Sequence, residues 1–221
     1  MFTNIEIEEY SNLLNILKQP NEQNLPPGYN LIAFGGGKDG VPHFKLLINQ
    51  DIQTYVIWVR GTDFTDINDI KINKQAKLIS FYQGECHSGY FIGAYNIIYL
   101  ILKYLNDEHI NKIVCLGHSL GGAVSSIIAT ILKKGDFGPV QNIGNIQQKF
   151  HNRIRALTFG TPPTFSESIS EETNEFITNI VFKGDVVPKL GILFEALSIF
   201  QRRKVTIQMY ENNCLNTTLH I

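Results

Sequence analysis

The segment Gln53 to Arg60, QTYVIWVR, constrains the fold more than any other part of the sequence. It is almost continuously apolar and rich in the β-branched and aromatic side chains that strands favour. A strand with one solvent-facing side would alternate apolar and polar residues. This strand is therefore expected to be covered on both faces, as in the middle of an α/β sheet.

The other segments fit such a sheet. Strands predicted at Asn30 to Phe34 and His43 to Asn49 flank a glycine-rich turn, which indicates an N-terminal antiparallel hairpin. After residue 50, strands alternate with helices, which argues for an α/β fold with a mostly parallel central sheet and helices on both faces. The remaining predicted elements are helices at Asn4 to Lys18, Ser88 to Leu105 (with Ser88 as its cap) and Gly121 to Lys134, and strands at Lys112 to Leu116, Arg153 to Phe159, Asn179 to Phe182 and Lys204 to Tyr210.

Length and charge limit the class of protein. A chain of 221 residues with 43% hydrophobic residues can bury a large core, yet it is short for two average domains. Because no internal repeat or low-complexity tract divides it, we expect one domain over residues 1–221. The formal net charge is -1 and the basic residues are spread along the chain, so nucleic-acid binding is not expected.

Cysteine usage and apolar runs bear on location. Cys86, Cys115 and Cys214 are widely spaced and form neither a CxxC pair nor a Cys/His cluster with zinc spacing, which indicates reduced thiols and no metal site. The first residues include acidic groups where a signal peptide has basic ones. The longest apolar run is shorter than the roughly 20 residues of a membrane span. We therefore expect a cytoplasmic protein.

Residues 112–122, KIVCLGHSLGG, join a predicted strand to a predicted helix. In a nucleophile elbow, a serine occupies the sharp turn between such elements, and the positions two before and two after it must be small. Gly117 and Gly121 meet this requirement around Ser119. The pattern predicts Ser119 as a nucleophile. The alternative is a helix-capping serine in a glycine-rich turn.

A serine nucleophile needs a histidine to accept its proton and a carboxylate to orient that histidine. In folds with this elbow, the chain order is Ser, then Asp or Glu, then His. Asp185 follows a predicted strand in VFKGDVVPKL, which makes it the candidate acid; the alternative is a loop carboxylate that caps a turn. His220 is the candidate base by elimination, because no other histidine follows Asp185 and His151 precedes it in a polar run.

Acyl transfer also requires hydrogen-bond donors for the oxyanion. One donor is expected to be the backbone N–H of Leu120, directly after the nucleophile. The second should come from a loop after an earlier strand, where Gly61 permits a turn and Thr62 offers a backbone N–H and a hydroxyl. Asp69 is expected to hold this loop. The alternative for Thr62 is an ordinary strand-ending turn.

Three further features have weaker functional interpretations. His118 is either a wall of the site or a surface residue. His87 is expected to be a hydrogen-bonded structural histidine. The apolar run Val186 to Phe200 is either core or the lining of an acyl pocket, and core packing is the simpler interpretation.

With these residues in place, the sequence resembles the class 3 lipases, the fungal triacylglycerol lipase type of α/β-hydrolase. The similarity covers roughly Gln53 to Leu190 and rests on five segments in family order: VRGT followed by Asp69, HSGYFIGAY, VCLGHSLGGA, LTFGTPP and GDVVPKL. The resemblance implies an α/β-hydrolase fold that cleaves carboxylic esters of lipids without metal or organic cofactor. Its substrate would be a lipid or small ester, met through transient contact with a lipid interface. The implied roles are nucleophile for Ser119, triad acid for Asp185, and oxyanion donors for Thr62 and Leu120.

The sequence also departs from the family pattern. The segment after Thr62 is shorter than the family's mobile lid, which favours smaller or more soluble esters. Thr164-Phe165 replace the arginine and glycine turn that usually follows LTFGTPP, and one residue follows His220. The alternatives left open are a phospholipase A1, a short-chain carboxylesterase and a catalytically silent lipase-like binding protein.

Overall fold

The computed structural model describes residues 2–18, 25–63, 65–74, 77–135, 143–166, 169, 173–183, 185, 187 and 207–210. The helices are Asn4–Leu17 (α1), Ile67–Lys74 (α2), Ser88–Ile101 (α3), Leu120–Lys134 (α4) and Ile143–Phe150 (α5). The strands are Tyr29–Gly35 (β1), Phe44–Asn49 (β2), Thr54–Val59 (β3), Leu78–Phe81 (β4), Gly84–His87 (β5), Lys112–His118 (β6), Ile154–Phe159 (β7), Ile177–Phe182 (β8) and Ile207–Tyr210 (β9).

The described strands form a central sheet in the order β1-β2-β3-β6-β7-β8-β9 and a separate hairpin of β4 and β5. β1, β2 and β3 pair antiparallel, and every later pairing in the central sheet is parallel. The predicted fold class, an α/β fold with a mostly parallel sheet and an N-terminal antiparallel hairpin, is confirmed.

Both faces of the sheet are covered, as the apolar β3 segment predicted. All six β3 residues are buried. Tyr55, Ile57 and Val59 belong to the core shared with α3, α4 and α5. Val56 and Trp58 point to the opposite face, where they pack with residues of α1. The period of two along a strand distributes one continuous apolar run between two cores.

Helix α1 covers the second face alone among the described helices. Its N-terminus has a capping box, in which the Thr3 hydroxyl accepts from the Glu6 N–H and the Glu6 carboxylate accepts from the Thr3 N–H. Each large apolar side chain it buries contributes roughly 1.5–3 kcal/mol relative to exposure. The amphipathic helix predicted over Asn4 to Lys18 is confirmed, and all of its predicted apolar positions are buried: Ile7, Tyr10, Leu13, Leu14 and Leu17.

Four parallel strands end at the same edge of the sheet. Val59 is paired with Gly117, and His118 with Phe159, which is in turn paired with Ile180. The segments that follow β3, β6, β7 and β8 therefore emerge side by side. This edge, at the carboxyl ends of parallel strands, is where α/β folds bind ligands.

The structure also differs from the sequence-based elements. The side chain that caps α3 belongs to His87, which accepts from the Tyr90 N–H, so the prediction of Ser88 as the cap was wrong. The helix ends at Ile101, and a 3-10 turn follows it. Helices α2 and α5 and the β4–β5 hairpin were not predicted, because each is short: the two helices have eight residues each and the two strands four each.

The segment after β7 extends the small hairpin. The His87 N–H donates to the Thr164 carbonyl at 3.2 Å, and the Ser166 N–H donates to the Glu85 carbonyl at 2.9 Å. Phe165 is fully buried between these bonds and stacks on Phe81 at 5.7 Å between ring centroids. The Thr164-Phe165 departure from the family pattern thus adds an antiparallel bridge to β5, at Cys86, and a buried aromatic contact to β4.

Two composition-based expectations can be compared with the structure. Cys86 and Cys115 are buried free thiols, which agrees with the prediction for those two residues, and Cys214 lies outside the described residues. In the part of the chain that the structure describes, every helix is too short or too polar to cross a membrane.

Candidate active site

Ser119 occupies the turn between β6 and α4 in a strained backbone conformation. Its φ of 52° and ψ of -125° are rare for a residue with a side chain, and such conformations cost about 1–3 kcal/mol each. The Ser119 N–H donates to the Phe159 carbonyl at 2.9 Å, which ties the turn to β7. Its side chain makes no capping hydrogen bond to α4. The capping alternative therefore does not explain this serine.

The two glycines of the motif are required by close backbone contacts. A Cβ atom on Gly117 would overlap the carbonyl group of Gly121. A Cβ atom on Gly121 would overlap the Val59 carbonyl oxygen and lie 2.7 Å from that of Arg60. Ordinary Cβ atoms do not approach so closely, so the steric requirement predicted from the motif is confirmed. These contacts also press the start of α4 against the end of β3.

The turn after β3 lies beside the elbow. A Cβ on Gly61 would be 2.8 Å from the His118 carbonyl oxygen, so the Gly61 backbone packs directly against the residue before Ser119. Thr62 follows at once. Leu120 begins α4, and the first N–H groups of a helix have no partner within it. The structure thus places the Gly61-Thr62 turn against the residue before Ser119, and Leu120 directly after Ser119 at the start of α4.

A charged cluster holds the turn after β3 to α2. Arg60 donates to Asp66 at 2.7 Å and to Asp69 at 3.0 Å, and the Asp69 carboxylate also accepts from the Asp63 N–H at 2.9 Å. The Asp69 side chain is fully buried. Because buried carboxylates need such partners, the cluster fixes the path of residues 60–63. The expectation that Asp69 holds this loop is confirmed.

Asp185 lies just past the end of β8, at the same edge. Its N–H donates to the Phe182 carbonyl at 3.0 Å, and its Oδ1 accepts from the Val187 N–H at 2.9 Å. Its other oxygen, Oδ2, lies against Gly160, where a Cβ atom would be 2.6 Å away. Asp185 therefore caps a turn with one oxygen and directs the other toward the residue that follows β7.

His118 is a neighbour of Asp185. The Cβ position on Gly160 is 3.7 Å from His118 Nε2. Burial lowers the pKa of His118 to about 4, and the positive charge of Lys18 acts in the same direction while Asp185 opposes it. His118 is therefore neutral near pH 7. It is half-buried, which favours its interpretation as a wall of the site.

The sequence matches the family model of class 3 lipases over residues 56–194, which is more than half of the chain. The chain belongs to the class 3 lipase family. As a member of it, the protein is a carboxylic ester hydrolase. A search of curated protein sequences found no match.

Solved lipase structures share the fold of this class 3 lipase. The triacylglyceride lipase of Rhizomucor miehei is 17% identical, with a TM-score of 0.63 over 86% of this chain and 76% of that chain. Lip2 lipase of Yarrowia lipolytica is 19% identical, with a TM-score of 0.64 over 90% and 77% of the two chains. A third, 16% identical with a TM-score of 0.64 over 91% and 79%, is a triacylglycerol lipase whose catalytic centre is formed by a serine protease triad.

The predicted site residues of this class 3 lipase are placed unevenly. Ser119, Leu120, Thr62 and Asp185 all lie at the carboxyl edge of the parallel strands. His220 lies outside the described residues, as does Val186 to Phe200 apart from Val187. Among the described residues, no group of three or more His, Cys, Asp or Glu side chains is arranged to hold a metal ion.

Sequence reasoning missed the partners of Thr62. The Thr62 hydroxyl oxygen accepts from the Asn73 side-chain amide at 3.0 Å, and the Tyr90 hydroxyl donates to Asn73 Oδ1 at 3.1 Å. Asn73 lies on α2, which has too weak a periodicity to be recognised from sequence. Tyr90 lies in HSGYFIGAY, one of the segments that resemble the class 3 lipases. That resemblance was the sequence signal that could have pointed to Tyr90.

His87 supports this part of the site. Its ring stacks on the Tyr90 ring at 3.8 Å between centroids. Burial lowers the pKa of His87 to about 4, although a hydrogen bond to the Asn73 backbone opposes the shift. The expectation of a structural, hydrogen-bonded histidine is confirmed.

A cavity of about 600 Å³ opens next to the loop that follows β3, between the β1–β2 turn and the start of α2. Its lining includes several charged side chains, which do not suit an apolar acyl chain. The lining residues are Gly37, Lys38, Asp39, Asp63, Thr65, Asp66, Ile67 and Lys71.

Proposed function

We propose that this class 3 lipase cleaves carboxylic esters of lipids through an acyl-enzyme formed on Ser119. The backbone of Ser119 is the observation that carries the proposal. The residue is held in a left-handed turn by the Phe159 carbonyl, with the Thr62 turn packed beside it. Such a strained serine between a strand and a helix is the arrangement of a nucleophile elbow.

The chemistry proceeds in two halves. Ser119 Oγ attacks the ester carbonyl carbon while a histidine accepts the hydroxyl proton, and the carbonyl oxygen becomes an oxyanion. The Leu120 N–H and the Thr62 turn donate hydrogen bonds to that oxygen. The intermediate collapses, and the alcohol leaves with the proton from the histidine. Water activated by the same histidine then releases the acid and restores Ser119.

We propose His220 as that histidine and Asp185 as the group that orients it. Chain order supports His220, and the position of Asp185 Oδ2 at the carboxyl edge supports the acid. Replacing the triad acid by its amide leaves shape unchanged but favours the wrong histidine tautomer. On that basis Asp185→Asn should lower kcat by about 10³-fold to 10⁴-fold.

The first experiment is labelling with a fluorophosphonate probe, which phosphonylates an activated serine. Wild type should be labelled, Ser119→Ala should not, and the exposed Ser80→Ala variant should be labelled like wild type. His220→Ala should lose labelling, whereas His151→Ala, the other histidine downstream of Ser119, should keep it. Undiminished labelling of Ser119→Ala would overturn the assignment, and full labelling of His220→Ala would overturn the base.

We further propose that the protein prefers esters that are dissolved rather than aggregated. Helix α2 begins five residues after Thr62 and is held by the Arg60 cluster and by the buried Ile72 side chain. A segment held in this way is poorly suited to large opening movements at a lipid interface. This favours a carboxylesterase over a triacylglycerol lipase with interfacial activation.

A panel of p-nitrophenyl esters of increasing acyl length separates these substrate classes, each offered below and above its solubility limit. A rate that saturates with monomer and does not rise when droplets form is expected. A sharp rise at the solubility limit would show interfacial activation instead. Release of a fatty acid from the sn-1 position of phosphatidylcholine, with no turnover of the soluble esters, would identify a phospholipase A1.

A further inference from the structure

Helix α1 runs along β6 in the same direction, so that its end reaches the carboxyl edge of the sheet. Near the start of both elements, the Lys112 ammonium group donates to the Glu6 carboxylate at 2.8 Å. From Glu6 to Lys18 the chain rises about 18 Å, at roughly 1.5 Å per helical residue. From Lys112 to His118 the strand rises about 20 Å, at roughly 3.3 Å per residue. Lys18, which caps the end of α1, therefore comes level with His118.

The side chain of His118 points to the face of the sheet that α1 covers. Successive strand residues alternate between the two faces, and Val114 and Leu116, which share a face with His118, pack with residues of α1. Burial and, after it, the positive charge of Lys18 lower the pKa of His118. The ammonium group at the end of α1 is therefore close enough to act on the His118 ring.

The His118 ring spans the distance between the turn after β3 and the candidate acid. Its Nδ1 is 3.1 Å from the Cβ position on Gly61. Its Nε2 is 3.7 Å from the Cβ position on Gly160, against which Asp185 Oδ2 also lies. The ring thus forms one wall of the candidate site, and Lys18 lies on the α1 side of that wall.

The charge of Lys18 lacks a balancing carboxylate. Its side chain is exposed, yet the surrounding protein removes enough water to lower the pKa of Lys18, and no carboxylate in the part of the chain that the structure describes offsets this effect. The neighbouring loop differs in this respect, because Arg60 is paired with Asp66 and Asp69. A partly dehydrated cation without a counter-charge favours the binding of an anion.

We propose that Lys18 is a specificity-determining residue whose ammonium group binds a carboxylate or phosphate carried by the ester substrate. The anion lies on the α1 side of the His118 ring, and Asp185, on the other side, serves the catalytic histidine. The proposal rests on the proposed function and names its substrate class, since an ester that carries a negative charge dissolves readily. The substrates that fit are monoesters of dicarboxylic acids, and esters of hydroxy acids or of phosphorylated alcohols.

Kinetics with matched charged and neutral esters test this subsite. Mono-p-nitrophenyl adipate carries its carboxylate in the acyl part, para-acetoxybenzoate carries it in the leaving group, and para-acetoxyphenyl phosphate has a phosphate there. The methyl-esterified form of each is its neutral match. Wild type should show a higher kcat/KM for at least one charged ester than for its match. Lys18→Met should lower that ratio about 10-fold through KM, since a hydrogen bond to a charged group contributes at least this much.

Two further variants separate charge from shape. Lys18→Arg keeps the positive charge and should keep the preference for the charged ester. Lys103→Met is the matched control and should behave like wild type. Lys103 precedes Tyr104, whose carbonyl accepts from Tyr55 near the start of β3, and it therefore lies at the opposite edge of the sheet. Raising the salt concentration should reduce the preference in wild type and much less in Lys18→Met, because salt screens partly exposed charges.

Binding to the inactive Ser119→Ala variant reports the subsite without catalysis. Adipate and inorganic phosphate are the probes, and the NMR signals of the His118 ring are the readout. At least one of the two ions should shift these signals on binding, and the added Lys18→Met substitution should weaken that binding about 10-fold, the same loss of one hydrogen bond to a charged group.

The outcomes distinguish the subsite from the proposed function. If the ratio of charged to neutral kcat/KM is unchanged in Lys18→Met, or if wild type has no preference for any charged ester, the subsite is overturned while labelling of Ser119 still stands. If the fluorophosphonate does not label wild type, the proposed function fails. Binding of adipate or phosphate that depends on Lys18 would in that case still support the anion subsite, and its absence would overturn both.

Discussion

The carboxylate of Asp185 lies directly against the α-carbon of Gly160. A Cβ atom at this glycine would be 2.6 Å from Asp185 Oδ2, and the glycine has a left-handed φ of 54°. Gly160 also donates its N–H to the Ile180 carbonyl at 2.9 Å, which fixes it relative to β8. Asp185 can therefore occupy this position only because Gly160, at the end of the neighbouring strand β7, has no side chain.

Gly160→Ala should move Asp185 and reduce activity. The new methyl group would overlap Oδ2, and alanine at a left-handed φ costs more than the 0.4–1 kcal/mol that glycine replacement gains elsewhere. We expect kcat to fall at least 10-fold and the free energy of unfolding by about 1–2 kcal/mol. Kinetics with a soluble ester and urea unfolding measure the two effects.

Gly144→Ala is the matched control for this substitution. Gly144 is exposed on α5, and the nearest atom to its Cβ position is 4.0 Å away. Alanine should raise stability by roughly 0.5–1 kcal/mol there and leave kcat unchanged. Unchanged kcat in Gly160→Ala as well would argue against Asp185 as the triad acid.

Ser119→Gly should be more stable than Ser119→Ala, although both remove the hydroxyl of the proposed nucleophile. The left-handed turn strains any residue with a side chain by about 1–3 kcal/mol, whereas glycine adopts it freely. Glycine also gives the unfolded chain more freedom, at a cost of roughly 0.4–1 kcal/mol. The strain is the larger effect, so the difference in unfolding free energy should be about 1 kcal/mol in favour of glycine, measured by urea unfolding. Equal stabilities would mean that the turn is relaxed.

Stability should fall as the pH is lowered from about 6.5 to 4. An unfolded histidine has a pKa near 6.5, while burial holds the pKa of His87 and of His118 at about 4. Between these values the unfolded state binds more protons, so the free energy of unfolding decreases with falling pH. For the buried His87 this amounts to roughly 3 kcal/mol, because one pKa unit corresponds to about 1.4 kcal/mol, and the half-buried His118 contributes less because solvent screens it.

His87→Asn should reduce that pH dependence, since it removes the most deeply buried of the histidines whose pKa is lowered. Urea unfolding at pH 7 and pH 5 measures the slope for each variant. His109→Asn is the control, because the His109 ring is 88% exposed, and it should retain the wild-type slope. A wild-type stability that does not change across this window would contradict the burial of both rings.

Arg60→Met should destabilise the protein strongly. It would leave the fully buried Asp69 carboxylate without its cationic partner, and breaking a buried pair in this way costs about 3–5 kcal/mol. Thermal unfolding would measure the loss. Asp63→Asn removes a charge from the same loop at an exposed position, 4.0 Å from Arg60, and should have a much smaller effect because solvent screens exposed ion pairs. Similar losses of stability in both variants would show that the Arg60–Asp69 pair contributes no more than an exposed ion pair.

The central fold could be predicted from sequence because its signals are strong and local. The β3 run is almost continuously apolar, and α1 has a clear helical period, so both were recognised close to their observed bounds. The β4–β5 hairpin was missed because its stability comes from a distant segment, Thr164 to Ser166, that pairs with it. No local pattern encodes a contact of that range. The single domain and the cytoplasmic location stay predictions.

The candidate site was predictable where a backbone constraint leaves a mark in sequence. The glycines around Ser119 are such marks, because any side chain there would overlap carbonyl groups. Asn73 left no mark, since an asparagine on a short helix has many ordinary roles. Its importance comes from Thr62 and Tyr90, which tertiary packing brings to it.

The hydrogen bond from the Ser119 N–H to the Phe159 carbonyl has a consequence for biosynthesis. The strained turn is secured by β7, which is made after the serine itself, and β6 must first pair with β3 from much earlier in the chain. Parallel pairings between distant segments form slowly. We therefore expect a nascent chain on the ribosome to carry Ser119 in a relaxed turn until β7 has been made. With Asp185 as the proposed triad acid, we expect hydrolytic competence only after that residue has also left the exit tunnel.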